Sequence, residues 1–227
     1  MPTTRSYQDR CGIARALDVV GERWSLLIVR ELLLGPQRYS DLRRVLTNTS
    51  SNVIADRLRE LEANDVVRRR KLPPPAASWV YELTERGRQL EPILLALGEW
   101  GLQYPDPVGE AVLSPTTVLL YLRRSARPDP SDPPIVATVQ LGDQAWTLRT
   151  HGGQLTIEPG EVDGASATLH TDPRTLLTLI RAPSQLRTAL REGSASVTGD
   201  NEAIRRLLRQ LRPLGKSPAA PMPAPTP

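Results

Sequence analysis

The sequence predicts an α+β fold in two successive parts: a mostly helical stretch closed by a basic hairpin, then a sheet-rich half. Three observations predict it. Apolar residues recur at helical spacing between Arg15 and about Ala63. Two β-rich runs, Val66 to Leu72 and Trp79 to Leu83, then flank a proline loop. From Ile135 onward the pattern changes to period-two runs separated by glycine turns.

Arg15 to Val20 and Glu22 to Leu34 read as helices, with Trp24, Leu27, Ile28 and Leu32 forming one buried face. Gly35 and Pro36 stop the second helix. A short third helix, Ser40 to Leu46, turns Leu42, Val45 and Leu46 inward and leaves Arg43 and Arg44 outward. After the turn Thr47-Asn48-Thr49, Ser50 is the expected N-cap of a helix running to about Ala63. Ile54, Leu58 and Leu61 follow i, i+4, i+7 and face the core, which puts Asn52, Asp56 and Arg59 on the opposite face and Ser51 in the exposed first turn.

Polar side chains so presented suit the DNA major groove, where Asn and Arg make bidentate base contacts. The same pattern also describes an ordinary amphipathic surface helix. The hairpin that follows favours the first reading, because Val66 to Leu72 carries Arg68, Arg69, Arg70 and Lys71. A helix followed by a basic hairpin is the plan of a winged helix-turn-helix domain, with phosphates as targets of the arginines. Charge agrees with that plan: the chain has a formal net charge of +4, and Arg38 to Lys71 alone holds nine basic and five acidic residues, also a net +4. A solvated helix face would look similar, and the bias of 27 arginines against two lysines also fits codon usage. The candidates for base readout are therefore Ser51, Asn52, Asp56 and Arg59. Those for phosphate contact are Arg38, Arg43, Arg44, Ser50, Arg68, Arg69 and Arg70.

Cys11 to Trp100 resembles the HxlR-type winged helix-turn-helix transcriptional regulators. The resemblance lies in Cys-Gly-Ile-Ala-Arg-Ala-Leu (11–17), Gly-Glu-Arg-Trp-Ser-Leu-Leu-Ile-Val-Arg-Glu-Leu (21–32) and Gly-Pro-Gln-Arg-Tyr-Ser-Asp-Leu-Arg-Arg (35–44). It continues in Asp-Arg-Leu-Arg-Glu-Leu-Glu (56–62) and Tyr-Glu-Leu-Thr-Glu-Arg-Gly-Arg-Gln-Leu (81–90). The resemblance implies a homodimer, built largely from the first helix and the helix after the wing, on a palindromic operator in double-stranded DNA. Leu90, Ile93, Leu94, Leu97 and Trp100 independently form an apolar stripe after Thr84, suited to a second copy or to the second domain.

The chain departs from the family pattern twice. Its wing tip, Ala76-Ala77-Ser78, lacks the usual basic residue, and Asn64-Asp65 stands where a glycine usually ends the recognition helix. Both Asn and Asp tolerate a left-handed backbone, so the cap is expected to survive. The resemblance also implies a thiol sensor at Cys11. A small buried apolar group is the other reading of that residue.

Tyr104 to Pro107 and Arg127 to Pro134 are proline and aspartate clusters that neither helix nor central strand crosses. They bracket a helix, Thr116 to Arg124, with Ser114 as N-cap and Pro115 first in the helix. The expected domains are 1–104 for DNA binding and dimerisation, 105–134 as a linker with one helix, 135–212 as an α+β domain, and 213–227 as a disordered proline-rich tail. Within the third of these, strands are expected at Ile135–Leu141, Ala145–Thr150, Gln154–Glu158, Ala167–Thr171 and Ser194–Thr198, and helices at Pro173–Arg181, Ser184–Glu192 and Asn201–Leu211. Asp172 and Asp200 are the expected helix starts.

Ala-Thr-Leu-His-Thr-Asp-Pro-Arg-Thr-Leu-Leu (167–177) and Gly-Ser-Ala-Ser-Val-Thr-Gly-Asp-Asn-Glu-Ala-Ile-Arg-Arg-Leu-Leu (193–208) resemble the sterol-carrier-protein-2-like (SCP2-like) fold. That resemblance implies a cavity for an apolar small-molecule effector, lined by Leu176, Leu177, Leu179, Ile180, Leu186 and Leu190, although the same residues also suit an ordinary core.

Cys11 is the single cysteine, which excludes an intrachain disulfide or a cysteine zinc site and fits a cytoplasmic protein. No apolar run is long enough to span a bilayer. His151 and His170 have no metal or triad spacing, and no phosphate-cradling motif is present, so neither an enzyme nor a cofactor is expected. The sequence as a whole predicts a DNA-binding transcriptional regulator, a repressor, modulated through an apolar ligand or through oxidation of Cys11. The alternative is an apolar-ligand carrier whose winged helix serves dimerisation or protein contact.

Overall fold

The computed structural model describes residues 6–74, 77–105 and 111–211. The expected tail and the wing-tip residue Ala76 lie outside these. The chain divides between Leu102 and Gln103 into two compact units.

The first unit runs α1 (Gly12–Val20), α2 (Ser25–Leu32), α3 (Tyr39–Val45), α4 (Ser51–Ala63), β1 (Val67–Lys71), β2 (Trp79–Leu83), α5 (Glu85–Arg88) and α6 (Glu91–Gly101). Ile28, Val29, Leu32, Leu42, Leu46, Ile54, Leu58, Leu61, Val67 and Leu83 share one core. Its phase corrects one expectation. The second helix begins at Ser25, not Glu22, because Trp24 takes a left-handed backbone at φ 81°. Ser25, Ile28, Val29 and Leu32 then face inward, and Leu27 is left 37% exposed, while Trp24 packs half-buried against the core.

A second correction concerns the segment after the wing, which is two helices rather than one. Thr84 caps α5 by accepting from the Gly87 N–H at 3.1 Å, and its hydroxyl donates to the Asp65 carbonyl at 2.6 Å. Pro92 then opens α6. Leu90 and Leu94, expected in the dimer stripe, pack half-buried on the unit's own core, so only Ile93, Leu97 and Trp100 of that stripe stand exposed.

The second unit contains α7 (Pro115–Ser125), β3 (Ile135–Leu141), β4 (Gln144–His151), β5 (Gln154–Pro159), β6 (Ala167–Thr171), α8 (Pro173–Arg181), α9 (Leu186–Glu192), β7 (Ala195–Gly199) and α10 (Asn201–Gln210). The strand order is β5-β4-β3-β6-β7, antiparallel except for the parallel pair β3–β6. Asp172 accepts from the N–H groups of Arg174 and Thr175, and Asp200 from that of Glu202, so both aspartates start their helices. A short 3-10 turn at Pro183–Gln185 replaces the expected first turn of the helix at Ser184.

The expected cavity is corrected as well. Leu176, Leu179 and Ile180 have no surface open to a water molecule and Leu186 almost none, so all four fill the core, while Leu177 and Leu190 are half-buried. A shallow open depression between α8 and α9 has instead a polar rim of Arg174, Thr175, Thr178, Thr188, Glu192 and Ser194.

Candidate nucleic-acid interface

The amino end of α4 is fixed from two sides. Ser50, in extended conformation, accepts the Val53 N–H on its Oγ at 3.4 Å. The Tyr39 hydroxyl at the start of α3 donates to the Ser51 carbonyl at 2.7 Å. Ser50, expected as a phosphate contact, therefore already serves as the cap. The Tyr39 clamp carries no sequence signal beyond the proximity of Tyr39 to a helix start. Arg57 pairs with Glu60 at 2.6 Å and with Glu22 at 3.4 Å, tying α4 to the turn before α2.

Asn52 and Arg59 are exposed and Asp56 half-exposed on the face opposite Ile54, Leu58 and Leu61, while Ser51 is half-exposed in the first turn, nearer the core side. Arg59 pairs with Asp56. At the far end Asp65 takes the left-handed conformation at φ 55°, and the Asn64 side chain donates to the Glu60 carbonyl at 2.8 Å. Helix α4 thus ends cleanly without glycine.

The phosphate candidates fall into two groups. Arg38 and Arg43 are exposed, and Arg44 lies 3.2 Å from Asp41. On the hairpin, Arg68 and Arg70 both reach Glu82, at 2.7 Å and 2.6 Å, whereas Arg69 stacks on the Trp79 ring at 4.5 Å. Partial burial would by itself raise the pKa of Glu82, but the hydrogen bonds and charges of Arg70 and Arg68 outweigh it and hold the carboxyl below its usual range. A folded value below the unfolded one means that this clamp stabilises the hairpin above the ordinary carboxylate pKa. The contribution is lost as pH falls through the folded value. Glu82→Gln is accordingly expected to lower the melting temperature at neutral pH and to flatten its decline toward about pH 3, as read by thermal melts across that range. An unchanged pH profile would show that the two arginines contribute nothing there.

Cys11 is exposed at the N-cap of α1 and not a buried apolar group. The backbone N–H groups of Ile13 and Ala14 favour its thiolate and lower its pKa. Ile13 and Leu17 of the same helix are exposed, as are Ile93, Leu97 and Trp100 of α6, which has no fully buried residue.

His151 and His170 stand apart on β4 and β6, and among the described residues no group of three His, Cys, Asp or Glu side chains could hold a metal. No helix among the described residues is long and apolar enough to cross a membrane.

Residues 19–108 match the HxlR-like helix-turn-helix family. An uncharacterized HTH-type transcriptional regulator of Bacillus subtilis, YvaP, is 40% identical over 93 residues, which are 41% of this chain and 86% of that protein. The HTH-type transcriptional regulator YodB of the same organism is 34% identical over 92 residues, 40% of this chain and 82% of YodB. Among solved structures, the redox regulator HypR in its oxidized form is 34% identical and covers 43% of this chain and all of its own, with a TM-score of 0.40. YvaP and YodB both bear the name of HTH-type transcriptional regulators, and all three matches fall on about two-fifths of the chain. On the strength of its first hundred residues, the chain belongs to the HxlR-like helix-turn-helix family.

Proposed function

We propose that this protein is a homodimeric, sequence-specific DNA-binding transcriptional regulator, acting as a repressor on a palindromic operator. One observation carries the reading: α4 presents Asn52 and Arg59 to solvent along the face opposite its core stripe, with its amino end held by Ser50 and Tyr39. Ser51, Asn52, Asp56 and Arg59 read base edges, while Arg38, Arg43 and Arg44 contact the backbone. In the free protein Asp56 holds Arg59 along the helix, and DNA competes for that guanidinium. Arg59→Ala is expected to cost about 1–3 kcal/mol of operator affinity and to relax preference at one base position. Equal weakening on every DNA sequence would transfer Arg59 to the phosphate group.

The dimer forms through Ile13 and Leu17 of α1 and Ile93, Leu97 and Trp100 of α6, an exposed apolar set whose cover is a second copy. Cys11, at the start of α1, is the thiol sensor. Its exposure and lowered pKa suit a nucleophilic thiolate, and modification there acts on the helix that pairs the two copies. The second unit, with the strand order β5-β4-β3-β6-β7 and helices α8 to α10, is the effector domain, of SCP2-like type. The test is a titration of labelled upstream DNA with the full-length protein, with and without an electrophile such as a quinone. Release of wild-type protein but not of Cys11→Ser supports the sensor. Equal release of both removes it.

A further inference from the structure

Arg57 sits on α4 between Asp56, on the solvent side, and Leu58 of the core stripe. Its side chain does not reach outward, being 17% exposed with Nη1 fully enclosed. Two carboxylates neutralise that atom: Glu60, one turn along the same helix, at 2.6 Å, and Glu22 at 3.4 Å. The second contact leaves α4 altogether. Glu22 belongs to the turn Gly21 to Trp24, which joins the end of α1 to the start of α2.

That turn has little freedom. The Gly21 N–H donates to the Leu17 carbonyl at 2.8 Å, and a Cβ at Gly21 would lie 2.5 Å from the same oxygen. The Ser25 N–H closes on the Glu22 carbonyl at 3.1 Å, and Trp24, in its left-handed conformation, packs on the core. Glu22 is therefore carried by α1 and not by a loose loop. Helix α1 holds Ile13 and Leu17, the exposed apolar residues assigned above to the second copy, and α4 holds Asn52 and Arg59. The Glu22–Arg57 pair connects these two helices.

We propose that Glu22 is a positioning residue: through Arg57 it braces α4 against α1, and in the dimer it fixes the separation and rotation of the two recognition helices. The protein thereby selects the spacing of the half-sites as well as their sequence. One base pair inserted between half-sites moves them apart by about 3.4 Å and turns them by about 35° around the duplex. A braced dimer meets such a site only by straining or by giving up contacts, whereas an unbraced α4 tilts to follow it. Glu22 is half-exposed, and a pair of that kind adds little to global stability, so the brace is separable from the fold.

The inference rests on the dimeric regulator reading, and the experiment separates the two. Wild type, Glu22→Gln, Arg57→Gln, the double mutant of these and Glu60→Gln are titrated by anisotropy against the inverted repeat that footprinting of the upstream DNA reveals. Copies with one base pair inserted or removed between the half-sites are titrated beside it, and thermal melts confirm folding. Wild type is expected to discriminate against both altered spacings. Glu22→Gln is expected to lower that discrimination by about two- to five-fold with a melting temperature near wild type, and the double mutant to go no further than Arg57→Gln, because the two residues act as one unit. Glu60→Gln is expected to keep the discrimination, since Glu60 ties Arg57 only to its own helix. Undiminished discrimination in Glu22→Gln, or an equal loss in Glu60→Gln, would overturn the brace and leave the regulator reading standing. Wild-type protein that binds no DNA would overturn both.

Discussion

Leu97→Asp is expected to turn the proposed dimer into a monomer while leaving the fold of the first unit intact, and to lower operator affinity by on the order of 100-fold or more. Leu97 stands exposed on α6 with Ile93 and Trp100, whereas Leu90 and Leu94 of the same segment anchor it to the core. Leu97 is 44% exposed, so a carboxylate there disturbs the unit's own packing far less than one at Leu90 or Leu94 would. Between two copies it would be buried opposite apolar side chains, where an unpaired charge is strongly disfavoured. Two half-sites bound by one dimer add their contacts, and a monomer keeps only one set. Sedimentation velocity gives the mass and a parallel DNA titration gives the affinity. A mutant that stays dimeric, or a wild type that is monomeric at micromolar concentration, would show that this face has another role.

Gly87→Ala is expected to be among the most damaging single-methyl additions in the first unit. A Cβ at Gly87 would lie 2.0 Å from the Val66 carbonyl oxygen and 3.1 Å from the Leu83 side chain. Neither the backbone at Val66 nor α5 can yield freely, because the Thr84 N–H donates to the Val66 carbonyl at 3.1 Å and the Thr84 side chain bridges Asp65 and Gly87. The cost is expected on the order of 3 kcal/mol, the upper end for overpacking. It should appear as a lower denaturation midpoint with an unchanged slope, accompanied by weaker dimerisation, because α5 leads directly into α6. A midpoint within experimental error of wild type would mean that the α5 turn is looser than its hydrogen bonds indicate.

Where local chemistry decides an element, the sequence was legible. Ser50, Ile54, Leu58 and Leu61 specify the start and phase of α4, because an N-cap and an i, i+4, i+7 stripe are both local features. Asp172 and Asp200 mark α8 and α10 in the same way. The phase of α2 was not legible. It depends on a left-handed Trp24, a conformation that sequence periodicity does not register and that sterics disfavour for a bulky residue. Leu27 was misplaced for that reason. The division of the apolar stripe after Thr84 into Leu90 and Leu94 inward and Ile93, Leu97 and Trp100 outward needed the break at Pro92 and the position of the core.

At the candidate interface, polarity was readable and partnership was not. Four consecutive basic residues on β1 look equivalent until the register brings Glu82 opposite Arg68 and Trp79 opposite Lys71. Only then do two arginines become clamps on Glu82, while Arg69 stacks on Trp79. The leucines expected around a cavity illustrate the same limit in the second unit: an apolar helix face fits a void or a packed core equally well, and tertiary packing buried Leu176, Leu179 and Ile180 completely.

Binding of a specific DNA sequence by α4 and its basic surroundings is measurable by anisotropy of the protein on its own upstream DNA beside scrambled DNA of equal length, over a salt series. Log K is expected to fall linearly in log[salt] for both DNAs, with a preference for the upstream sequence that persists at physiological salt. Equal affinity for the two sequences at every salt concentration would contradict it.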